Sequence, residues 1–110
     1  MEKVIRDGHV AVIISNGYGA GWSTWNPGPN RETLVFHPKL VELIESGQCN
    51  QDNMLALLIE LIGKIDTVHV YLGGVEDLTI KWLPEGTRFR IEEYDGKEYI
   101  ITERSLDMIA

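Results

Sequence analysis

The chain has 110 residues, of which 44% are apolar and 25% charged, and 17 acidic against 10 basic residues give a net charge of −7. This length suits one domain spanning residues 1–110, and the acidic balance excludes nonspecific attraction to nucleic acid or to anionic membranes. The one cysteine, Cys49, excludes an intrachain disulfide, and no apolar run reaches the roughly 20 residues that cross a bilayer. We therefore expect a cytoplasmic protein.

The first strong element is the apolar run from His9 to Ser15, which predicts a strand that is buried on both faces. It leads into GYGAGWSTWN, residues 17–26, which we call the glycine–tryptophan loop. Its three alternate glycines give backbone freedom and its three aromatic side chains add rigid surface, a combination better suited to holding a ligand than to filling a core. We expect a short strand around residues 21–25 and an irregular loop over residues 26–32.

Two helices are predicted in the middle of the chain, after a short extended piece from Thr33 to Phe36. The first helix begins at Pro38, because proline suits the first helical position, and runs to about Ser46. The second begins near Asp52, whose carboxylate can cap free N–H groups, and ends at Gly63. Its apolar residues cover more than one stripe, which indicates burial against a sheet and against a second surface, such as another copy of the chain.

The last part of the chain reads as strands separated by turns. Residues 67–72 and 78–83 each predict a strand, and two more, residues 88–94 and 97–103, flank Asp95-Gly96, the dipeptide preferred in two-residue hairpin loops. This loop pairs Tyr94 with Lys97 and so sets the register of the whole hairpin. One face then carries Phe89, Ile91, Ile100 and Thr102 and is expected to pack on the helices.

These elements together predict an α+β fold in a single domain. The sheet is antiparallel or mixed with about five or six strands, two central helices cover one of its faces, and a hairpin closes the chain. Glu93 and Glu98 oppose one another across this hairpin, and we interpret both as solvated charges near its tip.

Known catalytic and metal-binding motifs do not match. The dinucleotide-binding fingerprint needs a third glycine where Trp22 stands, and a serine nucleophile elbow needs a glycine where Trp25 stands. The three histidines lie far apart, and Cys49 has no cysteine partner at a ligand spacing. We therefore predict no catalytic residue, no bound metal and no cofactor.

Arg88 and Arg90 are the best candidates for binding an anion, because residues two apart on a strand point to the same face. Salt bridges to Glu92 and Glu103 are the alternative fate of these arginines. The glycine–tryptophan loop adds backbone N–H groups, hydroxyls and aromatic faces that can stack on a base. The predicted ligand-binding residues are Tyr18, Gly19, Gly21, Trp22, Ser23, Thr24, Trp25, Arg88 and Arg90.

Several sequence blocks resemble a family of small bacteriophage and prophage proteins. They are the run before the glycine–tryptophan loop, the loop itself, Phe36-His37-Pro38, the GGVEDL block at residues 73–78, and PEGTRFRIEEYDG at residues 84–96. The resemblance spans most of the chain; it implies a phage context and transfers no catalytic residue.

Small phage proteins include compact oligomers that sequester nucleotide signals of host defence, and the predicted site residues are compatible with that role. We therefore expect a noncatalytic homo-oligomer that binds a small anionic, nucleotide-like ligand in the host cytoplasm. The alternatives are a module that docks a host protein through exposed tryptophans and a small hydrolase or transferase.

Overall fold

The predicted α+β class is confirmed by the computed structural model, which describes residues 2–102 and 108–110. Within these residues six strands form two antiparallel sheets of three strands each, in the orders β1-β2-β3 and β5-β4-β6. The elements in chain order are β1 (Ile5–Arg6), β2 (His9–Ser15), α1 (Arg31–Phe36), α2 (Pro38–Glu45), α3 (Gln51–Ile62), α4 (Lys64–Thr67), β3 (Leu78–Pro84), β4 (Arg88–Tyr94), β5 (Lys97–Thr102) and β6 (Met108–Ile109).

Strand β2 is the centre of the molecule, and the prediction that both of its faces are buried is confirmed. Val10, Ala11, Val12 and Ile13 have no exposed surface, because β2 pairs with β1 on one edge and β3 on the other while other elements cover both faces. A strand with such neighbours carries a continuous apolar run instead of alternating polar and apolar residues.

Helices α2 and α3 cover one face of the β1-β2-β3 sheet, as predicted. Ala11 and Ile13 point to this side and share a core with Leu40 of α2 and Leu58 of α3. The expected cap of α3 was wrong: Asn50, not Asp52, accepts a hydrogen bond from the backbone N–H of Asn53, and Asp52 lies inside the first turn.

The hairpin of β4 and β5 has the predicted register, with Tyr94 opposite Lys97 and Phe89 opposite Thr102. The apolar face of the hairpin was expected to pack on the two predicted helices, and this expectation was wrong for α2 and α3. Phe89 and Ile91 instead meet Val10 and Val12 on the other face of β2, together with residues of α1. Alternate β2 residues therefore belong to two cores, one on each face of the sheet. Residue 103, the predicted end of the last strand, lies outside the described residues.

Three segments expected to be extended are not strands. Residues 33–36 belong to α1, where successive side chains turn by about 100°, so Leu34 reaches the α2–α3 core while Val35 and Phe36 reach the hairpin core. Residues 23–25 form a 3-10 turn. Residues 64–67 form α4, and the expected strand at 67–72 is absent, because the backbone N–H and C=O of Tyr71 bond to the side chain of Asn26.

Candidate ligand site

The glycine–tryptophan loop is fastened to the hairpin by one buried carboxylate. Glu98 of β5 is 2% exposed and accepts hydrogen bonds from the backbone N–H groups of Ser15, Trp22 and Thr24, at 2.7, 3.0 and 3.0 Å. The Thr24 hydroxyl donates a further bond at 2.6 Å. Burying a carboxylate is costly unless such donors replace its water, and here they come from both ends of the loop.

The interpretation of Glu98 as a solvated charge was therefore wrong. In the confirmed hairpin register, Glu98 lies on the same face as Ile100, and that face points into the molecule. The signal was present in the sequence as this alternation. It was missed because a glutamate near a hairpin tip is usually exposed.

Backbone contacts also hold the loop in place. The N–H of Gly19 donates to the carbonyl of Asp95 at the hairpin turn. A Cβ added to Gly96 would lie 2.3 Å from the backbone nitrogen of Ala20, and one added to Gly74 would lie 3.0 Å from the Ala20 carbonyl oxygen. The glycines on both sides thus let neighbouring turns approach the loop closely.

The three aromatic side chains of the loop have different environments. Trp22 has no exposed surface and donates its indole N–H to the carbonyl of Leu34 at 2.9 Å. This is a correction of its expected role, because a fully buried ring has no face for a ligand. Trp25 is 37% exposed and lies against Tyr71, whereas Tyr18 is 66% exposed with the Lys97 ammonium 5.2 Å from its ring centre.

A cavity of about 480 Å³ brings part of the loop together with the hairpin. Ser23 and Thr24 line it from the loop, and Arg90 lines it from β4. Arg31, which sequence reasoning missed, lines it from the start of α1. No spacing pattern pointed to Arg31, because only the fold brings α1 beside β4.

Of the two arginines predicted to act together, Arg90 lines this cavity and Arg88 does not. Arg90 also forms an ion pair with Glu92 at 2.6 Å. This is one of the salt bridges that were the alternative prediction for the two arginines. Arg88 is exposed and is not among the lining residues, and neither are Tyr18, Gly19, Gly21, Trp22 and Trp25. Of the nine predicted residues, the cavity therefore joins Ser23, Thr24 and Arg90.

The cavity has mixed charge. Arg31 and Arg90 supply guanidinium groups, and Glu92 and Glu93 supply carboxylates. Guanidinium groups suit phosphates and carboxylates, while the acidic side chains suit hydroxyl or amine donors. A ligand that carries both kinds of group would match this lining.

Two features are absent from residues 2–102 and 108–110. No group of three or more His, Cys, Asp or Glu side chains is arranged to hold a metal ion. No helix in this part of the chain is long and apolar enough to span a membrane.

Comparison with known proteins gives one partial likeness. No protein family matches the chain, and no solved structure matches it. A curated Arabidopsis thaliana protein, described as a "probable LRR receptor-like serine/threonine-protein kinase", is 31% identical over 90 residues, which is 82% of this chain and 10% of that protein. Because the chain spans about a tenth of that protein's length, the likeness does not assign it to a family.

Proposed function

We propose that this protein binds a small anionic, nucleotide-like ligand without converting it, and that it sequesters a host immune signal in the host cytoplasm. The observation that carries the proposal is the cavity that Arg90 and Arg31 line together with the hydroxyl-bearing residues Ser23 and Thr24. Its volume of about 480 Å³ falls in the range of small-molecule sites. The resemblance to phage proteins supplies the biological setting.

The chemistry of the cavity lining suits a ribose phosphate. A phosphate can bind the two guanidinium groups, and Glu92 and Glu93 can accept hydrogen bonds from ribose hydroxyls or from a base amine. Arg90 already forms an ion pair with Glu92, so a bound phosphate would share this guanidinium group with the carboxylate. The rigid attachment of Thr24 to Glu98 keeps one side of the cavity in place before a ligand arrives.

Calorimetry with cyclic nucleotides and ADP-ribose derivatives tests the proposal. Arg90→Ala should weaken binding at least tenfold, whereas Arg88→Ala, on the same strand but outside the cavity, should change it less than threefold. Mass spectrometry of small molecules that stay bound through purification would identify the natural ligand. Equal loss in both variants, absence of binding, or turnover of the ligand on chromatography would each overturn the proposal.

Docking of a host protein is the second candidate. Tyr18 and Tyr94 are 66% and 75% exposed, and both lie at the hairpin-tip end of the molecule. Exposed tyrosines are common in protein interfaces, because they offer a large surface at low entropic cost. A single stoichiometric partner that is lost with Tyr18→Ala and kept with Arg90→Ala would favour this candidate.

A further inference from the structure

A groove of about 540 Å³ runs between the two sheets on the side away from β1 and β6. Lys81 and Leu83 line it from β3, and Lys97, Tyr99 and Ile100 line it from β5. Both strands are outer strands of their sheets: in the described part of the chain, β3 pairs with β2 and β5 pairs with β4. The groove is therefore bordered by two strands that each have a free edge.

The free edge of β5 has a regular set of backbone groups. In a two-residue hairpin the residues next to the loop form a hydrogen-bonded pair, so Lys97, Tyr99 and Ile101 bond to β4. Ile100 and Thr102 consequently turn their backbone N–H and C=O groups toward the groove, whereas Glu98, at 2% exposure, has no accessible backbone. These groups are spaced to receive another extended chain.

The charges at the groove are positive although the whole chain is acidic. Lys81 is exposed and has no ion-pair partner among the described residues, and the Lys97 ammonium lies 5.2 Å from the centre of the Tyr18 ring. The carboxylate that lines the groove, Glu98, already accepts four hydrogen bonds from the glycine–tryptophan loop. Lysines beside a free strand edge repel basic chains and attract acidic chains.

We propose that β5 binds an extended acidic segment of another protein as an additional strand. Such a strand would continue the β5-β4-β6 sheet over Lys81 and Leu83, with backbone hydrogen bonds to the residues at positions 100 and 102. The β5 strand of a second copy is a poorer occupant, since it carries one lysine and one glutamate and so is not acidic. The proposal does not depend on the ligand cavity.

Fluorescence anisotropy with a labelled Glu-Val-Glu-Val-Glu-Val peptide tests the proposal. The acidic peptide should bind, and a Lys-Val-Lys-Val-Lys-Val peptide of the same length should bind at least tenfold more weakly. Methylating alternate backbone nitrogens, in each of the two possible sets, separates strand addition from charge attraction. Methylation of the nitrogens whose N–H groups point toward β5 should abolish binding. Methylation of the other set, whose N–H groups point away from β5, should leave binding within threefold.

Matched lysine variants locate the binding. Lys81→Glu should weaken binding of the acidic peptide at least fivefold, whereas Lys64→Glu, an equal charge change on α4, should leave it within twofold. Circular dichroism melting verifies that both variants are folded. The proposal is overturned if the acidic peptide does not bind, if both methylated sets bind equally, if both lysine variants behave alike, or if the β5 edge pairs with a second copy.

Discussion

Glu98 is the residue whose observed role differs most from the role predicted from the sequence. Its carboxylate joins residues 15, 22 and 24 to a strand that is 74 to 83 positions later in the chain. Oε1 accepts one hydrogen bond and Oε2 accepts three, all from N–H or O–H donors, and these bonds compensate the buried charge. The glycine–tryptophan loop is thus a fixed surface, where the glycines alone would suggest freedom.

We expect Glu98→Gln to destabilise the protein by about 3 kcal/mol, because the new amide NH₂ would oppose backbone N–H donors that are buried and lose their acceptor. Glu93→Gln is the matched control. Glu93 is exposed, lies directly opposite and accepts one bond from the Gly96 N–H, so its change should cost below about 1 kcal/mol. Urea unfolding measures both free energies, and similar values would contradict the role given to Glu98.

Cys49 should be an unreactive thiol. Burial, with a smaller contribution from the negative charge of Glu76, raises the pKa of the thiol, and its Sγ donates to the carbonyl of Val75 at 3.2 Å. A raised pKa leaves less thiolate at any given pH, so reaction with a disulfide reagent at pH 8 should be several times slower than for glutathione. The reaction rate of Cys49 should keep rising with pH at values where the glutathione thiol is already fully ionised. Equal rates for Cys49 and glutathione would contradict the prediction.

At the scale of elements, the hairpin turn has two roles: it reverses the chain and it supports the glycine–tryptophan loop. Gly96 has a φ of +86° and a Cβ at this position would collide with the backbone of Ala20. Gly86, at a φ of +89°, has nothing within 4 Å of the same added atom. The two glycines thus share a positive φ but differ in the space available for a Cβ.

Gly86→Ala should therefore cost about 1–2 kcal/mol of folding free energy through its left-handed backbone alone. Gly96→Ala should cost about 1–3 kcal/mol more, because the collision is with backbone that cannot move aside without releasing the loop. Thermal or urea unfolding of the two variants gives the difference directly. Equal losses would show that the turn and the loop are not tightly packed.

How far the sequence predicts each element depends on whether its signal is local. Asp95-Gly96 fixes a turn and so fixes a register, and the run from His9 to Ser15 can be accommodated only by a buried strand. An extended segment was wrongly predicted at residues 33–36, because their β-branched and aromatic side chains favour strands. These side chains are buried on two sides, which requires a helix. Arg31 and Arg90 are brought together by packing, which no spacing encodes.

At the scale of the whole molecule, the face opposite the hairpin is the best candidate for self-association. Leu55 and Ile59 of α3 are 39% and 40% exposed, and Ile65 and Val68, in and just after α4, are 81% and 70% exposed. The sequence led us to expect a homo-oligomer because α3 is broadly apolar. These four apolar side chains remain exposed to solvent in the single chain, and a second copy could cover them.

We expect sedimentation equilibrium to give a mass that is a multiple of the 12.4 kDa chain. Ile65→Glu combined with Val68→Glu should reduce it to the monomer, because charged side chains are disfavoured in the core of an interface. Tyr94→Glu, at the exposed hairpin tip, is the control and should leave the mass unchanged. A wild-type chain that sediments as a monomer at high concentration would contradict this expectation.

The dependence of the loop on Glu98 also has a consequence for synthesis. A ribosome makes the chain from its N-terminus, so residues 15–24 leave it well before the carboxylate that holds them. Until β5 has emerged, the loop lacks its main acceptor, and the backbone groups that will bind it remain hydrated. The wall of the ligand cavity is therefore completed only after residue 98 has left the ribosome, and a chain that terminates before this residue lacks it.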